Sequence, residues 1–314
     1  MNAKSVPAIF AFIMLAAGAA WSADSAAKIR IAFPSLAFSY MPFYVAQEKG
    51  LLKKAGLESE YIQMRTGIMP QAVINGNIDF FTSPSTGISA AVSGLPLLIV
   101  LNLYTGSPWI LVTGKEIAKP HDLVGKSVAI SGIRNSPHYY LLAALKKWEI
   151  PEKDVSLIST GGTASSFAAL TSHQVAGAVL TPPFDDKAVT LGFKKFQFLG
   201  DLADVPYVGL VTSQAEMKNR RELVQKTIAV LLEGAAWVRA NRDESVRMLA
   251  DKFKVTPAEA GRTYETLTSL LTKDGRMDVK VARGYLEILR QERPIAADVD
   301  PQKFLDFSLV PSAR

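Results

Sequence analysis

A strand pattern that occurs twice constrains this chain more than any other feature. Gly76-Asn77-Ile78-Asp79-Phe80-Phe81-Thr82-Ser83-Pro84 and Gln174-Val175-Ala176-Gly177-Ala178-Val179-Leu180-Thr181-Pro182 each follow a short helix rich in small residues, and each is a buried strand that ends in a hydroxyl and a proline. They stand about a hundred residues apart, which suits two similar lobes and not a solenoid. Around the first copy the periodicity predicts strands over 28–33, 57–64, 78–82 and 97–103, with helices between them. Pro42 opens one of these helices, and Gly50, Gly76 and Gly94 stop successive ones. Around the second copy the pattern restarts, with strands over 109–113, 127–131, 155–159 and 176–180 and helices from Ser136-Pro137 and over 163–172. Such alternation reads as parallel sheets with helices on both faces.

Further strands fall at 196–199 and 208–212, and from Glu216 onward the chain reads as helical. Leu223, Ile228, Leu231, Leu232, Ala235 and Val238 recur at helical spacing, and Thr256-Pro257-Ala258-Glu259 is a capping box. Asp300-Pro301 starts a last short helix. The fold class is α/β: two doubly wound lobes, with the helical tail packed on one of them. Crossings near 105–107 and 205–207 make the junction a two-strand hinge. The expected layout is first lobe from 23 to 106, second lobe from 107 to 206, and a return to the first lobe with the C-terminal helices from 207 to 314.

The first twenty-odd residues read as an address. Lys4 precedes an apolar, alanine-rich run over 6–20, and Ala20-Trp21-Ser22 offers small residues where a signal peptidase reads. Cleavage is expected after Ser22, with Ala23 as the second choice, and the mature chain is expected to be exported. The run is short of the roughly 20 apolar residues that a membrane anchor needs.

Composition then removes whole classes of chemistry. The chain has no cysteine, which excludes disulfides, thiolate metal sites and cysteine nucleophiles. Its three histidines, His121, His138 and His173, share no ligand spacing, so neither a metal nor a cofactor is expected. The net charge of +6 is scattered, which argues against nucleic acid. Phosphate-cradling loops, dinucleotide fingerprints and nucleophile elbows are absent from the sequence. Asp185-Asp186 is an adjacent pair whose side chains diverge by about 100° on a helix, so it reads as charge at a helix start and not as an acid–base couple.

The loops that follow the strands are richer. In open α/β sheets ligands sit at the carboxyl ends of strands. Here those ends read Ser35 to Tyr40, Arg65-Thr66-Gly67, Thr82 to Thr86, Ser131 to Ser136, Thr160 to Ser165 and Thr181 to Phe184. Several open helices, whose unpaired N–H groups favour an anion, although any one such residue is also an ordinary cap. Arg134 is the sharpest candidate for gripping a carboxylate or sulfonate, with Arg65 behind it. Phe38, Tyr40, Tyr104, Trp109 and Phe184 are candidates for an aromatic wall, and His138 reads as a capping or surface residue.

The chain resembles a known family at Pro42-Phe43-Tyr44-Val45-Ala46-Gln47-Glu48-Lys49-Gly50-Leu51-Leu52, at Gly76-Asn77-Ile78-Asp79, at Gly94-Leu95-Pro96, at Asp122-Leu123-Val124-Gly125-Lys126-Ser127-Val128 and along 174–183. It is similar to the periplasmic solute-binding proteins of ABC importers, in the type-II branch that includes nitrate, taurine, alkanesulfonate and thiamine-precursor binders. The family usually has Gly where His173 stands and Asp where Ala176 stands. The resemblance implies a type-II periplasmic-binding fold that closes on a small molecule, acts as a monomer and docks on a membrane permease with its ATPase. It also implies that contacts come from the strand-end loops. Ser39, Tyr40, Thr66, Ser83, Ser85, Arg134, Asn135, Ser136, Thr163 and Thr181 are then expected to hold an anionic group, with Phe38, Tyr40 and Phe184 packing the organic part. The expected ligand is a small organic anion: a sulfonate, a carboxylate or an aromatic acid. A neutral pyrimidine-like or amine ligand, and a ligand-sensing role in signalling, are the alternatives. An enzyme is not expected, and the family's cysteine-rich synthase motif is absent.

Overall fold

Ile29, Ile31 and Ala32 are fully buried in a strand only seven residues long, so β1 (Ala27–Phe33) must lie inside a sheet and not at its edge. In the computed structural model, which describes residues 26–311, it does. The leader and its cleavage position lie outside the described residues. β1 pairs in parallel with β2 (Leu57–Gln63) and β3 (Phe80–Phe81). β4 (Leu97–Asn102) closes one edge of that sheet, and the second sheet is built from β5 (Ile110–Thr113), β6 (Ser127–Ile130), β7 (Ser156–Ser159), β8 (Gly177–Leu180) and β9 (Lys194–Phe198). β10 (Gly209–Ser213) returns to the first sheet. The strand orders are β2-β1-β3-β10-β4 and β7-β6-β8-β5-β9.

Neither sheet is purely parallel, contrary to the alternation seen in sequence. β10 runs antiparallel to β3 and β4, and β5 runs antiparallel to β8 and β9. The cause is the double crossing. The chain leaves each lobe at the carboxyl end of its edge strand, the end that faces the other lobe. The first strand beyond each crossing therefore starts at the cleft and runs away from it. The crossings are tied to the lobe strands by main-chain bonds, Leu103 N–H to Val208 O at 2.9 Å and Leu199 N–H to Trp109 O at 2.8 Å.

The helices are α1 (Met41–Glu48), α2 (Leu51–Lys54), α3 (Met69–Ile74), α4 (Pro84–Val92), α5 (Ser136–Lys147), α6 (Thr163–Thr171) and α7 (Phe184–Thr190), then α8 (Gln214–Asn219), α9 (Arg221–Ala240), α10 (Arg242–Phe253), α11 (Pro257–Leu270) and α12 (Val279–Glu292). α9 packs on α1 so closely that a Cβ at Gly234 would lie 2.5 Å from Pro42 O. The capping box forms as read, with Thr256 N–H donating to Glu259 Oε2 at 2.7 Å and Glu259 N–H donating to Thr256 Oγ1 at 3.3 Å. The last short helix is a 3-10 turn, Pro301–Phe304, capped by Asp300. α12 buries Ala282, Tyr285, Leu286 and Leu289. The adjoining Arg293 fixes its end to α4, donating to Ser93 Oγ and to Ser89 O, each at 2.6 Å.

The two copies of the repeated strand differ at their starts. Asp79 is buried at the start of the first copy, where Arg30 and Arg220 hold it. Its counterpart Ala176 makes no such link. His173 sits at φ 57°, a left-handed conformation that glycine adopts more cheaply. Among the described residues no helix is long and apolar enough to cross a membrane.

Candidate functional site

The carboxyl ends of β1, β3, β6 and β8 meet between the lobes around a cavity of about 40 Å³. Lobe one supplies Pro34, Ser35, Ala37, Ser39, Tyr40, Thr66, Thr82 and Ser83, and lobe two supplies Ser131, Asn135, Ser136, Pro137, Thr163 and Thr181. The crossings supply Trp109, Tyr207 and Val208. No aspartate, glutamate, lysine, arginine or histidine lines it.

The cavity is rich in protons that can be donated. Trp109 Nε1–H donates to Ser136 Oγ at 2.8 Å, and an indole can only donate, so the Ser136 hydroxyl proton is left for another acceptor. Tyr207 O–H donates to Ser39 Oγ at 3.0 Å and leaves the Ser39 proton free in the same way. Tyr104 O–H fixes the same turn by donating to Ser39 O at 2.8 Å. Burial pushes Tyr40 up to about 12, eased only partly by its contact with Thr82, and pushes Tyr104 and Tyr207 up as well, so all three stay protonated at neutral pH. The first turns of α4, α5 and α6 also face this region. None is closed by a side chain at its cap position, although Ser83 and Asn135 are good capping residues. Ser83 instead meets Thr86 Oγ1 at 2.8 Å, and the Asn135 amide meets Ser131 Oγ at 3.2 Å and, across the cleft, Thr66 Oγ1 at 3.3 Å. The helix starts and their partial positive charge thus have no cap side chain.

The structure gathers Ser39, Tyr40, Thr66, Ser83, Trp109, Asn135, Ser136, Thr163 and Thr181 around the cavity and leaves Phe38, Arg65, Ser85, Tyr104, Arg134 and Phe184 outside its lining. Phe38 is fully buried, its ring 4.5 Å from that of Phe253. Ser85 sits beneath Ser83, their hydroxyls 3.4 Å apart. Phe184 packs on Phe167 in the smaller core of lobe two. Arg134, at φ 60°, turns outward with 59% of its side chain exposed and Nε 3.9 Å from Glu292 Oε2. Arg65 lies against Gly161. Asp185 and Asp186 are remote from the cavity and share Lys195, at 2.7 and 2.8 Å. Burial raises Asp185 despite that cation. His138 is buried and not at the surface, but it does act at the helix start, where its Nδ1 accepts from Arg134 N–H at 3.3 Å; Glu292 and Glu152 face it. Tyr207 and Val208 were not legible as site residues, because they arrive from a crossing and not from a strand-end loop. No cluster of three metal-ligating side chains occurs among the described residues.

Residues 37–245 match the family model described as NMT1/THI5 like. The chain belongs to that family. Among curated relatives it is 27% identical over 224 residues to the riboflavin-binding protein RibY of Chloroflexus aurantiacus, covering 67% of this chain and 64% of that one. It is 31% identical over 122 residues to the taurine-binding periplasmic protein of Escherichia coli, 38% of each chain. The chain thus spans less than two thirds of the length of either relative. Among solved structures, the alkanesulfonate-binding protein of Xanthomonas axonopodis pv. citri bound to MOPS superposes with a TM-score of 0.74 at 17% identity, covering 89% of this chain and 98% of that one. The periplasmic nitrate-binding protein of Synechocystis PCC 6803 gives 0.74 at 16% identity, covering 91% and 87%. The chain shares its fold with these two solved structures. The relatives and neighbours are named as binding proteins, not as enzymes.

Proposed function

We propose that this protein is the solute-binding receptor of an ABC importer and that it closes its lobes over the oxyanion group of a small organic acid. The observation that carries the reading is the interlobe cavity, in which neutral donors converge from both lobes without a charged side chain. Hydroxyls whose protons are freed by Trp109 and Tyr207, together with uncapped helix starts, stabilise negative charge by fixed dipoles. Such a site avoids the cost of desolvating a buried cation. Ser39, Thr66, Ser83, Asn135, Ser136, Thr163 and Thr181 are its proposed ligands, and Tyr40, Trp109 and Tyr207 its aromatic wall. The receptor acts in the periplasm, as a monomer, and passes its ligand to a permease and its ATPase. A second reading is a neutral ligand of the flavin kind. The uncharged lining and the likeness to a riboflavin-binding protein favour it.

Thermal shift of the chain from Ala23 onward tests this with taurine, methanesulfonate, benzoate, acetate, nitrate and riboflavin. A ligand at a hundred times its dissociation constant stabilises by about 2.7 kcal/mol, a rise of several degrees. A rise confined to the oxyanions supports the proposal. A rise with riboflavin alone replaces it by the second reading.

A further inference from the structure

The strongest feature outside the cavity is a carboxylate that reaches across the seam between the lobes. Glu292 ends α12, which Arg293 fixes to α4 in lobe one. Its side chain points at the first turn of α5 in lobe two. Tyr139 O–H donates to Glu292 Oε2 at 3.2 Å, and Arg134 Nε lies 3.9 Å from the same oxygen. His138 Nδ1, 3.5 Å from Oε1, accepts from Arg134 N–H at 3.3 Å and so ties Arg134 to α5 without bonding the carboxylate. The rings of Tyr139 and Tyr285 add a second contact between the helices, 5.2 Å apart. Arg134, His138 and Tyr139 bracket Asn135 and Ser136, the α5 residues that line the cavity.

We propose that Glu292 is a positioning residue for the ligand cavity: from outside, it clamps the first turn of α5 to the C-terminal helix of lobe one and so sets Asn135 and Ser136 in place when the lobes are closed. The proposal rests on reading the cavity as the ligand site, and its structural half stands apart from that reading. Glu292 does not line the cavity, so it acts only through α5. One residue thereby couples the arm of lobe one to the helix start that lobe two presents. The partners converge on a single carboxylate, so the clamp is lost as a unit when that carboxylate is removed.

The test needs no ligand. The chain lacks cysteine, so Gln71→Cys and Ser172→Cys, exposed and one in each lobe, take nitroxide labels uniquely. Pulsed EPR then reads the interlobe distance. Fluorine NMR on protein grown with 5-fluorotryptophan reads Trp109, whose indole is bonded to Ser136 at the clamped turn. Glu292→Ala is expected to add a longer interlobe component and to shift the Trp109 resonance, with Trp148 and Trp237 unmoved. Glu292→Gln, which keeps an acceptor for Tyr139, is expected to fall between Ala and the parent. Tyr139→Phe is expected to act in the same direction, and to add less in the Glu292→Ala background than alone. A Trp109 resonance and distance distribution that match the parent in both Glu292→Ala and Tyr139→Phe would overturn the proposal, as would equal changes from Glu287→Ala on the same helix. These readouts succeed or fail whether or not any solute binds.

Discussion

Asp79→Asn removes the charge that ties three parts of lobe one together. Asp79 is only 3% exposed and accepts from Arg30 N at 2.7 Å, Arg30 Nε at 3.2 Å, Arg30 Nη2 at 3.0 Å and Arg220 Nη1 at 2.7 Å. It thereby joins β1, β3 and the start of α9, and it steadies the strand that presents Thr82 and Ser83 to the cavity. Removing one partner of a buried ion pair costs about 3–5 kcal/mol. Both arginines are about a third exposed and regain water, so the low end applies, about 3 kcal/mol. At about 2 °C per kcal/mol for a chain of this size, the melting temperature falls by about 6 °C. Burial alone would raise the Asp79 carboxyl, but the bonds and charge of Arg30 and then Arg220 overcome it and hold it below the usual carboxylate range. A depressed folded value contributes stability that is complete above the unfolded value near 3.9 and is lost as pH falls through the folded one. Urea melts of parent and variant should therefore differ by a constant amount from pH 8 to pH 5 and converge below about pH 4. A variant as stable as the parent at pH 7, or a gap undiminished at pH 3, would refute this account.

Asn135→Asp places a carboxylate among donors meant for an anion, and oxyanion affinity is expected to fall at least about tenfold in calorimetry. Tyr207→Phe removes the donor that frees the Ser39 proton, at about 0.5–1.5 kcal/mol, so affinity should drop several-fold. Burial holds Tyr40 near 12, so binding of a fully ionised sulfonate should stay flat from pH 8 to pH 10 in equilibrium titrations. A downward break in that range would mean that a cavity hydroxyl titrates.

The strand-end rule reached most of the cavity because it needs only strand positions, and the apolar runs mark those clearly. Ser39, Thr66, Asn135, Ser136, Thr163 and Thr181 all follow from it. Arg134 shows where the rule stops. Loop position cannot reveal that the backbone at φ 60° turns the side chain out towards a glutamate 158 residues further on. Phe38 and Phe184 follow the same pattern, since their partners Phe253 and Phe167 are set by tertiary packing. The antiparallel β5 and β10 are equally hidden. Their direction depends on which end of a lobe the chain leaves, and that is a property of the double crossing and not of either strand.

The most direct test of the cavity as a neutral-donor oxyanion site is calorimetric titration of taurine and methanesulfonate into the parent and into Thr66→Trp, whose indole would fill the space between the lobes. Saturable one-site binding to the parent, abolished in a Thr66→Trp variant that still melts cooperatively, is the expected result. Binding that survives the blocked cavity unchanged, or a parent that binds neither sulfonate, would contradict it.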